Sequence, residues 1–527
     1  MSSSPRAAGE PAGRGAGTAT RLPDSILPSP LWPANALPSV RGRLTQILRV
    51  NGLVLMIAAA YAAAVASQLG GQLNQDSWLA LVSGREIVGH GLPGIDHMTS
   101  WTHGVHWIDQ QWLAQLALYG LSVLGGLKAV AISHAVLVVG AFALALVAAR
   151  ALGGSARATA WTAAICFLPA LLPSRELRTQ SFAFPLFVLA LWLLLTDARR
   201  PSRRVFFVLP LLALWANVHG SAVVGAGVTS LAACTFAWQQ GHSKEARPRW
   251  KVRALTLFAA PALCLFASPY AVSLPSYYRH TLLNPGFGKL VTEWQPLTLS
   301  ALTAPVIVLA LVSVWLIARH ASQLVPFERL VLLLLVAAAF LALRNMPWLA
   351  LGALLVLPRS LDAALERRTA PARGGLNLAL GGVACAIVLL AATAALRAPG
   401  GALASRYPDS VATVVAVTAK ADPSAQVFAD VHFADWLLWQ EPQLRGRIVL
   451  DARFELLSHR QLVALYHWTN EMTDSWRRAA NHARLVVLDL ADDPTKETAL
   501  LGERGARLLY RGDDVAVIER PAQETRP

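Results

Sequence analysis

The stretch that decides the topology is VFFVLPLLALWANVHGSAVVGAGVTSLAACTFAW, residues 205–238. As one helix it would far exceed the roughly 20 apolar residues that cross a bilayer core of about 30 Å. Its middle carries Asn217-Val218-His219-Gly220, where polar side chains and a glycine interrupt the apolar run. A single span would put the basic segments Arg199–Arg204 and Lys244–Arg253 on opposite sides of the membrane. Two short helices joined at 217–220 return them to the same side. Short basic loops stay on the cytoplasmic side, so the split reading is the expected one.

Working outward, apolar runs predict about eleven spans, near 47–69, 127–149, 158–173, 180–196, 205–216, 219–238, 253–272, 302–318, 330–343, 346–358 and 376–396. Starting inside, the loops on one side hold 23 Lys and Arg residues from Arg6 to Arg373, and the opposite loops hold few. The segment Trp112–Gly126 is apolar but short, and counting it as a span would put Arg199–Arg204 outside. It is therefore expected to lie in the interface. The fold class that follows is an α-helical polytopic membrane protein with a C-terminal extracytoplasmic α/β domain. Its parts are a disordered cytoplasmic tail (1–46), a transmembrane domain (47–398) with a large first outer loop (70–126), and the α/β domain (399–527). The expected location is a bacterial inner membrane.

Composition agrees with this class. Of 527 residues, 55% are hydrophobic and 15% charged, against about a quarter charged in soluble domains. The net charge of +15 could suggest nucleic acid, but from Gly400 onward fifteen Lys and Arg face eighteen Asp and Glu. The excess sits in the tail and the short loops, where it is a topology signal and not a phosphate-binding face, so no nucleic-acid partner is expected. The four cysteines (Cys166, Cys234, Cys264 and Cys385) lie inside apolar runs without metal spacing, which argues against a disulfide framework or a Cys-type zinc site.

In the α/β region, strands are expected at 426–431, 448–452, 485–490, 507–510 and 515–519, the last two as a hairpin around Gly512-Asp513-Asp514. Helices are expected at 409–420 and 459–482. Asp451 and Arg453 read as an internal salt bridge.

Polar residues are costly in membranes and therefore informative. Here they collect at one depth: Asp76, Asp96 and several His in the first outer loop, then Arg175, Glu176, Arg178 and Gln180, then Asn217 and His219, then Tyr277, Glu293 and Trp294, then Arg344 and Asn345. The set predicts a polar cavity open to the outer face. Interfacial anchoring by Trp, Tyr, His and Arg is the plain alternative.

The stretches NQDSWLALVSGREI (74–87), GLPGIDHMTSW (91–101), HWIDQQWLAQ (106–115), RELRTQSF (175–182), LWANVHGS (214–221), VTEWQP (291–296) and LRNMPWLAL (343–351), with FADWLLW (433–439) and VLDARFEL (449–456), resemble the GT-C superfamily of membrane glycosyltransferases. The match is to a group of bacterial proteins and covers roughly residues 45–520. The resemblance implies a polyprenyl-phosphate-linked sugar donor, membrane lipid as surroundings, transfer at the outer face to a glycan, lipid or protein acceptor, and a first-loop aspartate acting as base or organising the acceptor. Asp76 occupies that place, but Ser77 follows it, so the Asp-Glu or Asp-x-Asp pair is missing and a divalent metal stays open.

Sugar transfer to a hydroxyl needs a base, cations for the leaving phosphate and a platform for the sugar. Asp76 is the candidate base and Asp96 the second carboxylate; the alternatives are a helix cap and a turn residue. Arg175, Arg178 and Arg344 are candidate phosphate clamps, the alternative being pairing with Glu176 or lipid headgroups. Gln180, Asn217 and His219 are candidate substrate contacts, and Glu293 with Trp294 a candidate sugar platform. A transporter or flippase of lipid-linked substrates, or an envelope assembly protein, is the rival reading.

Overall fold

The computed structural model describes residues 40–521, except 246, 283–285, 288–290, 366–372, 471–473 and 492–493. Most of the expected 1–46 tail lies outside the described residues. Helix α1 (Val40–Ala66) begins before the expected boundary at 47. It is followed by α2 (Gln75–His90), α3 (Trp112–Ala151), α4 (Ala156–Leu171), α5 (Ala183–Arg199), α6 (Val208–Val218), α7 (Ala222–Gly241), α8 (Trp250–Leu265), α9 (Leu274–Leu282), α10 (Ala304–Arg319), α11 (Pro326–Leu341), α12 (Met346–Ala364) and α13 (Gly374–Arg397). A helix therefore lies over every apolar run.

Among the described residues, six stretches are long and apolar enough to cross a membrane: Thr45–Gly71, Trp112–Ala151, Ala156–Arg175, Thr179–Arg199, Ala222–Gly241 and Gly374–Arg397. The helix α6 has 11 residues, and α8, α10 and α11 have 16 each. The decisive run at 205–238 does split. The backbone at His219 is extended (φ −165°, ψ 140°), which ends α6 before α7 starts. The segment 112–124 is helical and continuous in sequence with the next run, but Gly125 and Gly126 leave helical geometry between them. Gly126 sits at φ 65°, a conformation that costs glycine little because it has no Cβ. On the first half of α3, a Cβ at Gly84 would overlap the Gln115 carbonyl, so glycine lets α2 lie directly against it.

Side-chain contacts sort the connections into two ends. At one end, Arg150 Nε donates to Asn51 at 2.9 Å and the Ser155 backbone N–H donates to Asp362 at 2.7 Å. There too, Arg253 pairs with Asp197, and Arg199 Nε donates to Glu328 at 2.6 Å. At the other end, the Ser77 hydroxyl donates to the Leu177 carbonyl at 2.7 Å and Gln110 donates to the Ala216 carbonyl at 2.8 Å. The Tyr270 hydroxyl reaches the Pro93 carbonyl at 2.8 Å. The basic connections thus share one end, as their charge led us to expect. Between the ends, Trp215, Trp348 and Phe187 form an aromatic centre, with Trp348 5.8 Å from Trp215 and 5.1 Å from Phe187.

The C-terminal region packs on the second end. It contains α14 (Asp409–Ala421), β1 (Gln426–Ala429), α15 (Val431–Gln440), α16 (His459–Asn470), β2 (Ala483–Asp489), α17 (Thr495–Leu501), β3 (Arg507–Arg511) and β4 (Val515–Glu519). The sheet order is β1-β2-β4-β3, with β1 parallel to β2 and the other pairs antiparallel. The β3–β4 hairpin closes where the Gly512 N–H meets the Val515 carbonyl at 2.8 Å.

Two expectations need correction. The 448–452 strand is reduced to isolated parallel bridges at Ile448, which lies between Val427 of β1 and Thr99 of the first loop, so the pairing stays too short to add a full strand to the sheet. The expected 459–482 helix is described from His459 to Asn470, and residues 474–480 form 3-10 turns and not a continuation of it. The first loop is bound tightly to this region. Arg85 donates to the Leu438 and Trp439 carbonyls at 2.6 and 2.8 Å, and Arg445 pairs with Glu86 at 3.0 Å.

Candidate functional site

A cavity of about 740 Å³ opens between the second end of the bundle and the C-terminal region. Its bundle side is set by local capping. Asn74 accepts from the Ser77 N–H at 3.1 Å, and the Ser77 hydroxyl returns to the Asn74 N–H at 3.1 Å. This reciprocal box satisfies the start of α2, so Asp76 is not the cap. Its side chain is free for the cavity and is 33% exposed there. The same Ser77 hydroxyl holds the Leu177 carbonyl, which brings the extended residue Arg178 (φ −137°, ψ 156°) opposite Asp76.

Arg178 is the hub. Its Nε lies 2.8 Å from Asp76 Oδ2, and its terminal nitrogens pair with Glu176 and Glu293. Three carboxylates thus share one guanidinium, whose planar fork can serve several at once. Burial works against the charge on Arg178, but Asp76, Glu293 and Glu176 outweigh it and hold its pKa above the ordinary value. Burial pushes the Asp76 carboxyl above the usual carboxylate range; Arg178 pulls it back in part, while Glu293 and Glu176 add to the rise. Glu293 goes the other way. Burial would raise it, but Arg178 and Arg344 together hold it below its ordinary value. Two carboxyls around one arginine are therefore driven apart, which is the pattern that separates a proton acceptor from a fixed charge.

Arg344 stands 3.8 Å from Glu293 and lays its guanidinium over the Trp294 ring, 4.1 Å from the centroid. Arg175 lines the cavity, is exposed, and pairs with no carboxylate among the described residues. At His219, Nδ1 accepts from the Ser221 N–H at 3.1 Å, which leaves Nε2 to carry the proton of the neutral ring. Gln180 also lines the cavity.

Eight of the expected residues thus meet: Asp76, Arg175, Arg178, Gln180, His219, Glu293, Trp294 and Arg344 line one space. Two do not. Asp96 is fully buried away from the cavity. It accepts from the Met98 N–H at 2.9 Å and the Thr102 hydroxyl at 2.6 Å, and pairs with Arg453 at 2.8 Å. A carboxylate so saturated is a brace between the first loop and the C-terminal region. Asn217 spends its amide on its own end of the bundle, donating to the Ala213 and Ala267 carbonyls at 2.8 and 2.6 Å and accepting from Trp112 Nε1 at 2.9 Å. The Asp451–Arg453 salt bridge is present at 2.6 Å.

Sequence reasoning missed the cavity residues of the C-terminal region, chiefly Glu455 and Tyr466, whereas Tyr277 of α9, which it placed in the outer polar set, does line the cavity. Among the described residues, no three His, Cys, Asp or Glu side chains gather as a metal-ligand set; the carboxylates nearest the centre each face Arg178 instead.

This chain has the fold of the GT-C membrane glycosyltransferases. The apo oligosaccharyltransferase of Archaeoglobus fulgidus matches with a TM-score of 0.50 at 13% identity, over 82% of this chain and 69% of that chain. The archaeal oligosaccharyltransferase AglB from Archaeoglobus fulgidus, in complex with an inhibitory peptide and a dolichol-phosphate, also gives a TM-score of 0.50, at 14% identity, over 83% and 69% of the two chains. ArnT from Cupriavidus metallidurans bound to undecaprenyl phosphate gives 0.48 at 14% identity, over 90% and 99%. At these identities the likeness is one of fold. No family model matches the sequence, and no curated protein matches it.

Proposed function

We propose that this chain is an integral membrane glycosyltransferase that moves a sugar from a polyprenyl-phosphate-linked donor to an acceptor at the extracytoplasmic face of a bacterial inner membrane. The observation that carries the reading is the convergence of Asp76, Arg175, Arg178, Arg344 and Trp294 on one cavity. A dolichol-phosphate accompanies AglB, whose fold this chain shares, and that supports a lipid phosphate as ligand class.

In this reading Arg175 and Arg344 take the phosphate. Arg175 is free to do so, and Arg344 is loosely held by Glu293 at 3.8 Å. The prenyl chain leaves past Leu302, Leu343 and Met346, which line the cavity on its apolar side. Trp294, already backed by Arg344, carries the apolar face of the sugar. Asp76 takes the proton of the acceptor hydroxyl. The acceptor oxygen forms a bond to the anomeric carbon, and the bond from that carbon to the phosphate oxygen breaks with its electron pair going to the lipid phosphate. Arg178 keeps Asp76 oriented. No step here depends on a metal.

The test is deletion of the chain in its native host, complemented by wild type or Asp76→Asn, with envelope glycans read by mass spectrometry. A glycan lost on deletion, restored by wild type and not by Asp76→Asn at equal protein level, supports the reading. Full restoration by Asp76→Asn removes Asp76 as base, and no glycan change on deletion removes the transferase.

A further inference from the structure

The expected site lay wholly on the bundle, yet one wall of the cavity belongs to the C-terminal region and carries its own chemistry. Glu455 lies on that wall, on a 3-10 turn (Phe454–Leu456) whose preceding residue, Arg453, is immobilised. Arg453 is 2% exposed, pairs with Asp451 at 2.6 Å and Asp96 at 2.8 Å, and packs over the Trp107 ring at 4.3 Å. The turn is thereby fixed against the first loop, and Glu455 is delivered to a set position. Unlike Asp76 and Glu293, Glu455 pairs with no other side chain among the described residues. A carboxyl held in place, turned to a cavity and bonded by no other side chain is available to a ligand.

The company it keeps indicates the ligand class. Phe454, Tyr466, Thr469 and Asn470 line the same wall, and Tyr277 faces it from α9. No Lys or Arg comes to the cavity from the C-terminal region among the described residues, while all three cavity arginines come from the bundle. The two walls therefore differ: the bundle brings every arginine together with Asp76, Glu176 and Glu293, while the facing wall brings Asp430, His432 and Glu455 with aromatic and amide groups and no guanidinium. An anionic acceptor end would meet an unpaired carboxyl on that wall. A neutral sugar offers hydroxyls to a carboxyl and an apolar ring face to an aromatic side chain.

Resting on the transferase reading, we infer that Glu455 is a substrate-contacting residue that holds a hydroxyl of a neutral carbohydrate acceptor across the cavity from the bundle's arginines. Burial pushes its carboxyl up to about 7, against a hydrogen bond from its own backbone N–H and the pull of Arg453, and with added repulsion from Asp451 and Asp76. Tyr277 on α9 and Asp109 in the first loop are the other titratable groups that feel it, and burial raises both. Glu455 then bonds a sugar hydroxyl as donor or acceptor near neutral pH.

Three readouts on the full chain test this. In the complemented deletion host, Glu455→Ala should cut the transferred glycan by at least about tenfold, and Glu455→Gln, which still bonds a hydroxyl, should recover most of it. Binding of undecaprenyl phosphate alone to the purified protein, read by native mass spectrometry, should be the same in wild type and Glu455→Ala. Glycan at wild-type level in Glu455→Ala, or loss of lipid binding together with the glycan, overturns the inference. A third readout is independent of the transferase reading: a hydrophobic carbodiimide, which adds to protonated carboxyls, should label Glu455 in the purified wild type more at pH 6 than at pH 8. A wild type whose deletion changes no glycan overturns the transferase reading, whereas absence of carbodiimide label at Glu455 overturns the free carboxyl itself.

Discussion

The two ends of the helical bundle are both rich in charge, but they use it differently. At the basic end each buried charge is matched. Arg253 places one nitrogen on both oxygens of Asp197 at 2.5 and 2.6 Å. Arg199 meets Glu328, which is fully buried and also accepts from the Val325 N–H at 3.0 Å. At the cavity end Arg178 is shared by three carboxylates, while Arg175 and Glu455 have no charged partner among the described residues. Matched charges close loops. Unmatched ones, held in a cavity, store an interaction for a ligand to complete. The sign of the charge sets topology at one end; the mismatch of charge marks a site at the other.

The comparison can be broken most directly at Asp76. Asp76→Asn should lower transfer by about 10²–10⁴-fold, the usual contribution of a positioned base, with the melting temperature unchanged; an unaffected rate would make the two ends equivalent. Next comes Glu328→Gln at the basic end, which strands Arg199 in a buried position. Breaking such a pair costs about 3–5 kcal/mol, so thermal unfolding in detergent should shift strongly while the transfer rate per folded molecule stays the same. Arg175→Gln should weaken undecaprenyl phosphate binding by about tenfold, as the loss of one charge-assisted contact of about 1.4 kcal/mol, and leave stability unchanged. The smallest effect sharpens the electrostatics. Asp76 must be ionised to act, so the rate falls as pH drops through its raised pKa, giving an acid limb above the ordinary carboxylate range. Glu176 contributes to that rise, so Glu176→Gln should move the acid limb to lower pH; a shift upward would mean that Glu176 acts on Asp76 in another way.

Much of this was legible from local signals. Each apolar run is covered by a helix, though the runs did not foretell α9, the Asn217–Gly220 interruption divided α6 from α7, and Gly125-Gly126 separated the short 112–124 segment from the run that follows. Loop charge assigned the connections to their ends, and that parity brought eight expected residues into one cavity. What failed was long-range. Asp96 read as a second carboxylate because nothing near it in sequence shows that Arg453 will neutralise it. Asn217 read as a substrate contact because an amide in a tight turn does not reveal that Ala267 and Trp112 will use it. Ile448 read as part of a strand, and it does bridge Val427 of β1, but its other side is taken by Thr99 of the first loop and the pairing stops there. Glu455 carried no signal beyond an acidic residue after Asp451 and Arg453; only the packing of that turn over the cavity gives it a role.

The bracing of the first loop has a consequence in time. Arg85 donates to the Leu438 carbonyl, 353 residues further along the chain. At synthesis rates of about 5–20 residues per second, roughly 20–70 s separate the emergence of the two. Until then α2 has no C-terminal partner, and the wall carrying Glu455 does not exist. The cavity is thus completed by a segment made well after the bundle's first helices, so a ribosome that stops before it leaves the bundle in the membrane without its full site.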